Sequence, residues 1–116
     1  MLHQFSTSDI TFLGEQDGPP EQRLKEALAV LLRLNATVIR AYLARVLYDG
    51  TTSGVMLGVL TDNGEECAKL ASQVGKAFAA LFNTRAHLDI VFLSDERDTE
   101  IRKACPPFYD RNARYN

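Results

Sequence analysis

Apolar residues recur at helical spacing in two stretches of the chain. Four leucines between positions 24 and 32 follow Pro19-Pro20 at this spacing, which predicts a first helix over roughly 20–34. A second helix is predicted to begin near Asp62 and to run to Leu81. Asp62 and Glu65, three positions apart, resemble a capping box at its start. A short polar helix is expected over 96–103.

Other runs are rich in β-branched and aromatic residues and predict strands. These runs cover 10–13, 37–48, 55–60 and 88–93. The second and third strands are expected to form an antiparallel hairpin across 49–54, a loop longer than the tightest turns. Pro106-Pro107 predicts an extended tail after the last helix.

The resulting order, β-α-β-β-α-β, is that of the ferredoxin-like sandwich. It predicts an α+β fold of two layers, with a four-stranded, mainly antiparallel sheet and two helices on one face. The chain has 116 residues, a length typical of one domain. We expect a single domain with its core over about 8–105 and a tail over 106–116.

The predicted strand 37–48 carries an unusual second face. Ile39, Ala41, Leu43 and Leu47 alternate with Val38, Arg40, Tyr42, Ala44, Val46 and Tyr48. The second set is too apolar for a solvated face, so we expect the tail, a second copy of the chain or a partner to cover it. Arg40, Tyr42 and Tyr48, with Phe108 and Tyr109 of the tail, are therefore the predicted partner-binding residues. Alternatively, the two tail aromatics simply pin the tail against the sheet.

Charge and composition exclude several classes of function. The net charge is −2, with five basic against nine acidic residues over 1–66 and eight against six over 67–116, so no basic field favours a nucleic-acid partner. The strand 55–60 also lacks the aromatic residues of an RNA-binding sheet. No run approaches the ~20 apolar residues of a membrane span, and no signal-peptide pattern is present, which favours the cytoplasm.

No catalytic or metal-binding motif is present. His3 and His87 have no ligands at metal-binding spacing, and the acidic residues between 89 and 100 lack the order of a calcium loop. Cys67 and Cys105 show no electropositive setting, so we expect structural cysteines. The sequence therefore predicts a protein without metal or cofactor that is not an enzyme. A mechanism through either thiol remains the alternative.

The segment 14–20 is a candidate ligand loop. Gly14, Asp17 and Gly18 precede a helix start, where backbone N–H groups can bind a carboxylate. Asp-Gly-Pro in this element order is similar to the ACT-type amino-acid sensors, which implies an amino acid as the ligand. The same residues are also common in ordinary turns.

Two segments carry a family resemblance. Val38–Arg45, with Ala41-Tyr42-Leu43 at its centre, and Pro106–Arg111, with Pro107-Phe108-Tyr109, resemble the C-terminal domain of the SseB family, over about residues 10–111. The resemblance implies a bacterial, soluble protein linked by name to enhanced serine sensitivity, with no assigned active site. Family members commonly carry a further N-terminal domain. We therefore expect this chain to be either a domain separated from such a protein or a stand-alone version of it.

Overall fold

The computed structural model describes residues 10–62, 67–82 and 88–112 of the chain. In chain order the elements are β1 (Ile10–Glu15), α1 (Pro19–Arg33), β2 (Val38–Tyr48), β3 (Thr52–Thr61), α2 (Ala68–Leu81), β4 (Asp89–Phe92), α3 (Asp95–Ala104) and β5 (Tyr109–Asp110). The α+β class is confirmed, and the short polar helix exists as α3. The tail, which was expected to be merely extended, contributes the short strand β5.

The sheet is mixed, in the order β1-β2-β3-β4. β2 pairs antiparallel with both β1 and β3, whereas β3 and β4 are parallel. β5 pairs antiparallel with β2 at Arg40 and Ala41, beyond the end of β1. The ferredoxin-like arrangement is therefore not fully matched. Two crossover helices would each join parallel strands, but α1 joins β1 to its antiparallel neighbour β2, whereas α2 joins the parallel neighbours β3 and β4.

The hairpin between β2 and β3 is tighter than predicted. Tyr48 pairs with Thr52, which leaves only residues 49–51 in the loop. Asp49 and Gly50 have φ values of 52° and 72°, and the N–H of Thr51 donates to the carbonyl of Tyr48 at 3.0 Å. Asp-Gly is a dipeptide that accepts positive φ at both positions, so it closes the hairpin directly. The prediction of a loop over 49–54 is wrong for this reason.

α1 and α2 share one face of the sheet, as predicted. This first core contains Leu24, Leu28 and Leu32 of α1, Leu70 and Val74 of α2, and Val38, Ala41, Leu43, Leu57, Val59, Leu88 and Ile90 from the sheet side. α3 packs on the opposite face, where Ile101 and Cys105 join a second core. The protein thus has three layers rather than the predicted two.

A bulge at the start of β2 changes which residues face each core. The register between β2 and β3 shifts between Val38 and Arg40. Val38 therefore lies in the first core and Ile39 packs against the second, the reverse of the assignment from strict alternation. One extra residue in a strand moves every side chain before it to the other face.

The helix starts differ in how well sequence anticipated them. α3 begins after Ser94, whose hydroxyl accepts from the N–H of Arg97 at 3.2 Å. α2 begins only after Cys67, without a side-chain cap. Asp62 is therefore not the cap of α2, and its N–H instead donates to the carbonyl of Thr37 at 2.8 Å. Glu65 lies outside the described residues.

Candidate functional site

The second sheet face is covered by α3 of the same chain. Tyr42 has no exposed surface and Tyr48 is 8% exposed, because both belong to the second core. Ile101 of α3 sits over Gly58 of β3, where an added Cβ would lie 3.3 Å from its Cδ1 atom. The expectation that the tail, another copy or a partner covers this face is therefore wrong: a helix with one buried apolar residue, Ile101, covers it.

A buried carboxylate joins α3 to β2. Asp98, whose side chain is 5% exposed, accepts hydrogen bonds from Arg40 at 2.8 and 3.2 Å and from the hydroxyl of Tyr42 at 2.6 Å. Arg102, one turn further along α3, adds a bond of 2.8 Å to the same carboxylate. Charge-assisted bonds of this kind are about twice as strong as neutral ones. The carboxylate thus replaces the apolar contacts that a polar helix lacks.

The pKa values of Asp98, Tyr42 and Arg40 are shifted in the directions that favour their mutual hydrogen bonds. Burial opposes the charge of Asp98, but hydrogen bonds from Arg40 and Tyr42 outweigh it and lower the pKa of the carboxyl group. Burial, together with the bond to Asp98, raises the pKa of Tyr42. Hydrogen bonding to Asp98 raises the pKa of Arg40 against the effect of burial. At neutral pH each group therefore keeps its ordinary charge.

A second tyrosine and aspartate meet at the other end of β2. The hydroxyl of Tyr48 donates to the carboxylate of Asp89 in β4 at 2.6 Å, and both residues are buried. Burial and this bond raise the pKa of Tyr48. Within the described residues, no buried side-chain nitrogen or oxygen lacks a hydrogen-bond partner. Both clusters therefore resemble structural pairs rather than groups prepared for proton transfer.

The structure does not bring the predicted partner-binding residues together on a surface. Arg40, with a side chain 21% exposed, is engaged with Asp98, and the two tyrosines of β2 are internal. The tail lies at the sheet edge, where the N–H of Phe108 donates to the carbonyl of Ala41 at 3.0 Å. Phe108 and Tyr109 pack against the first core, so the expectation that they pin the tail is confirmed.

The candidate ligand loop is shorter than predicted and already internally paired. Gly14 lies in β1 opposite Arg45, so only residues 16–18 separate β1 from α1. Lys25, whose side chain is 8% exposed, contacts Glu15 at 2.6 Å and Asp17 at 3.4 Å. Burial opposes the charge of Lys25, but the bonds to Glu15 and Asp17 outweigh it and raise its pKa.

Few donors remain at this loop for a carboxylate ligand. Asp17 accepts from the backbone of Gly18 and from Gln22, and these bonds, with Lys25, lower its pKa. The first two positions of α1 are Pro19 and Pro20, which have no N–H group. The loop thus holds its own carboxylate in the place where a ligand carboxylate was expected.

The cysteines and histidines form no cluster that the structure describes. Cys67 is half-buried and Cys105 is buried, and both are free thiols. Burial raises the pKa of Cys105 to about 11, which opposes thiolate formation. Among residues 10–62, 67–82 and 88–112, no group of three or more potential ligands is placed to hold a metal ion. His3 and His87 lie outside these ranges.

An open groove lies between the start of α1 and the end of α2. It has a volume of about 450 Å³ and is lined by Pro19, Pro20, Arg23, Leu81 and Phe82. The ring of Phe82 stacks on Phe78 with centroids 4.8 Å apart, which supports one wall. Leu81 is 45% exposed, a large fraction for a leucine beside a cavity. We call this feature the α1–α2 groove.

Sequence reasoning missed the groove because its residues are about 60 positions apart and carry no shared motif. Arg23 is exposed and makes no ion pair or hydrogen bond with another described residue.

The buried ion pair of Lys25 could have been found from the sequence. This lysine interrupts the apolar stripe of α1 between the buried residues Leu24 and Leu28. A charge at such a position needs a partner in the fold.

A mixed sheet with two helices on one face, a third on the other and an open groove at the helix ends defines the class: a small three-layer α+β domain. A family model described as the SseB protein C-terminal domain matches residues 12–111. The chain belongs to this family. No curated protein matches the chain, and no solved structure matches it. No helix among the described residues is long and apolar enough to span a membrane.

Proposed function

We propose that this domain is a protein-interaction or regulatory module that binds its partner at the α1–α2 groove. The supporting observation is the groove itself, in which Pro19, Pro20, Leu81 and Phe82 present apolar surface beside Arg23, a cation with no ionic partner among the described residues. Recognition sites commonly combine a mainly apolar wall with a few placed polar groups. This proposal replaces Arg40, Tyr42 and Tyr48 as the contact residues, because Asp98 and Asp89 already engage them.

A non-enzymatic role is part of the proposal. The buried charged side chains of the described residues, Lys25, Asp89 and Asp98, are engaged with partners, and the pKa shifts of Lys25 and Asp98 favour their charged forms. A catalytic acid or base would instead be expected to have a pKa shifted toward neutral pH, and the pKa values of Asp98 and Lys25 are shifted away from it. The two free thiols agree with a reducing bacterial cytoplasm, which we include in the proposal.

The test uses the immobilised full chain and a matched pair of variants. Leu81→Glu places a charge in the groove, whereas Leu34→Glu changes a leucine that is 75% exposed at the end of α1. We expect at least one bacterial protein to be retained by the wild type and by Leu34→Glu but lost by Leu81→Glu. Quantitative mass spectrometry of the retained fractions measures this. Identical fractions from all three chains would refute the groove as the binding site.

The second candidate function is a small-molecule sensor, most simply for an amino acid. It is favoured by the groove volume of about 450 Å³, which falls within the roughly 300–1,000 Å³ of small-molecule sites. In this version the ligand lies next to the loop that contains Asp17 and Gly18 rather than inside it. A thermal-shift series with the twenty amino acids, serine first, tests the idea and its link to serine sensitivity. An unchanged melting temperature throughout the series would eliminate it.

A further inference from the structure

We infer that the α1–α2 groove recognises the C-terminal end of a peptide whose last residue is apolar. The inference rests on the proposed function and names the chemistry of the partner. The described residues of the groove offer two kinds of contact, an apolar wall and the guanidinium of Arg23. A C-terminal apolar residue carries the complementary pair, a side chain and a carboxylate, on the same residue.

Charge complementarity selects a carboxylate. Arg23 is exposed and has no anionic partner among the described residues, and the structure places it on the wall of the groove. A guanidinium presents parallel N–H donors that match a carboxylate in a two-bond arrangement. Among the described residues that line the groove, Arg23 is therefore the group that favours an anion.

The apolar wall selects the side chain beside that carboxylate. Proline rings are rigid, and the stack of Phe78 on Phe82 fixes the opposite aromatic surface, so little conformational entropy is lost when a ligand packs there. The exposed part of Leu81 gains burial on binding. A charged or polar last residue would bring no such gain.

The size of the groove favours a chain end over a continuing chain. A volume of about 450 Å³ lies in the lower part of the range for ligand sites. Among the described residues one cation, Arg23, lines the groove, and it pairs with one carboxylate. The last residue of a chain supplies both the carboxylate and an apolar side chain within this small volume. A segment within a longer chain needs two residues for the same contacts, an acidic one and an apolar one.

The test is an NMR titration of the ¹⁵N-labelled full chain with four acetylated peptides. Acetyl-glycyl-glycyl-leucine as the free acid is compared with its amide, with the free acid of acetyl-triglycine, and with an amidated peptide carrying an internal aspartate next to leucine. We expect the leucine free acid to bind about five- to tenfold more tightly than each of the others. Its shifts should centre on the amides of Arg23, Leu81 and Phe82.

Two variants complete the test. Arg23→Gln should remove the preference for the free acid over the amide, whereas Arg33→Gln, which removes an exposed arginine at the other end of α1, should keep it. Equal binding of acid and amide, equal binding of the internal aspartate peptide, or the same loss in both variants would each overturn the inference. If the peptides fail while Leu81→Glu still abolishes partner capture, the chain-end inference alone is wrong. If Leu81→Glu changes nothing, the proposed function fails as well.

Discussion

The two faces of the sheet are stabilised in different ways. The face beneath α1 and α2 is filled by buried aliphatic side chains such as Leu28 and Val74, whereas the face beneath α3 also buries Tyr42 and Tyr48. The first face depends on apolar area, which needs no particular partner. The second depends on specific hydrogen bonds to Asp98 and Asp89. A mixed strand face can therefore be an interior surface that satisfies its polar groups within the chain.

The largest expected effect is on the aliphatic face. Leu28 has no exposed surface, so Leu28→Ala should remove packed methyl groups and leave a cavity, lowering the free energy of unfolding by about 3–4 kcal/mol. Guanidinium unfolding followed by circular dichroism measures the change. Val30→Ala is the control, because Val30 is 54% exposed on the same helix, and it should cost less than about 0.5 kcal/mol. A loss below about 1 kcal/mol for Leu28→Ala would contradict this account of the first core.

The next effect is on the hydrogen-bonded face. Asp98→Asn removes the charge that pairs with Arg40 and Arg102 and leaves fewer acceptors for Tyr42, so we expect a loss of about 2–3 kcal/mol. The same unfolding experiment measures it. Glu96→Gln, also on α3 but exposed, removes a charge without touching the network and should change stability by less than about 0.5 kcal/mol.

The pH dependence of stability separates the two faces further. The pKa of Asp98 is lowered in the folded protein, so its contribution is complete above its ordinary pKa of 3.8 and is lost as the pH falls through the lower folded value. The difference in the free energy of unfolding between wild type and Asp98→Asn should therefore become smaller in acid. The loss of unfolding free energy caused by Leu28→Ala involves no titrating group, so it should stay the same in acid. A constant Asp98→Asn difference down to the acid transition would show that the carboxylate is not what holds α3.

The sequence predicted every described element except β5, because most of them have a local cause. Helical spacing of leucines predicted α1, and the polar run 96–103 predicted α3. In the structure α3 also has a local start, the cap at Ser94 and the acidic residues that follow it. The bulge at Val38–Arg40 has no such signal, since Val38 and Ile39 are both apolar and either one satisfies either face. The sheet order was missed because helical connections were assumed to join parallel strands.

The candidate site was less predictable because it depends on distant contacts. Tyr42 and Asp98 are 56 residues apart, and nothing local to Tyr42 indicates that its hydroxyl has a partner. In the sequence Asp98 is one of the acidic residues between 89 and 100 that lack the order of a calcium loop, although its place one turn before Arg102 puts both on one side of α3. Arg23 and Leu81 likewise meet only in the folded chain.

The smallest expected effect concerns the two free thiols, which belong to different faces. Cys67 is half-buried against the first core, while Cys105 is buried in the second core, where its thiol lies 3.6 Å from the carbonyl oxygen of Leu43. Burial raises the pKa of Cys105 to about 11, so at pH 8 it should react with a disulfide reagent at least about tenfold more slowly than Cys67. Labelling followed by mass spectrometry of the modified peptides measures both rates. Asp98→Asn should speed the labelling of Cys105 and leave Cys67 unchanged, since Cys105 lies at the end of α3 and reacts when that helix opens. If both thiols accelerate together, the protein opens as one unit, and the two faces are not independently stabilised.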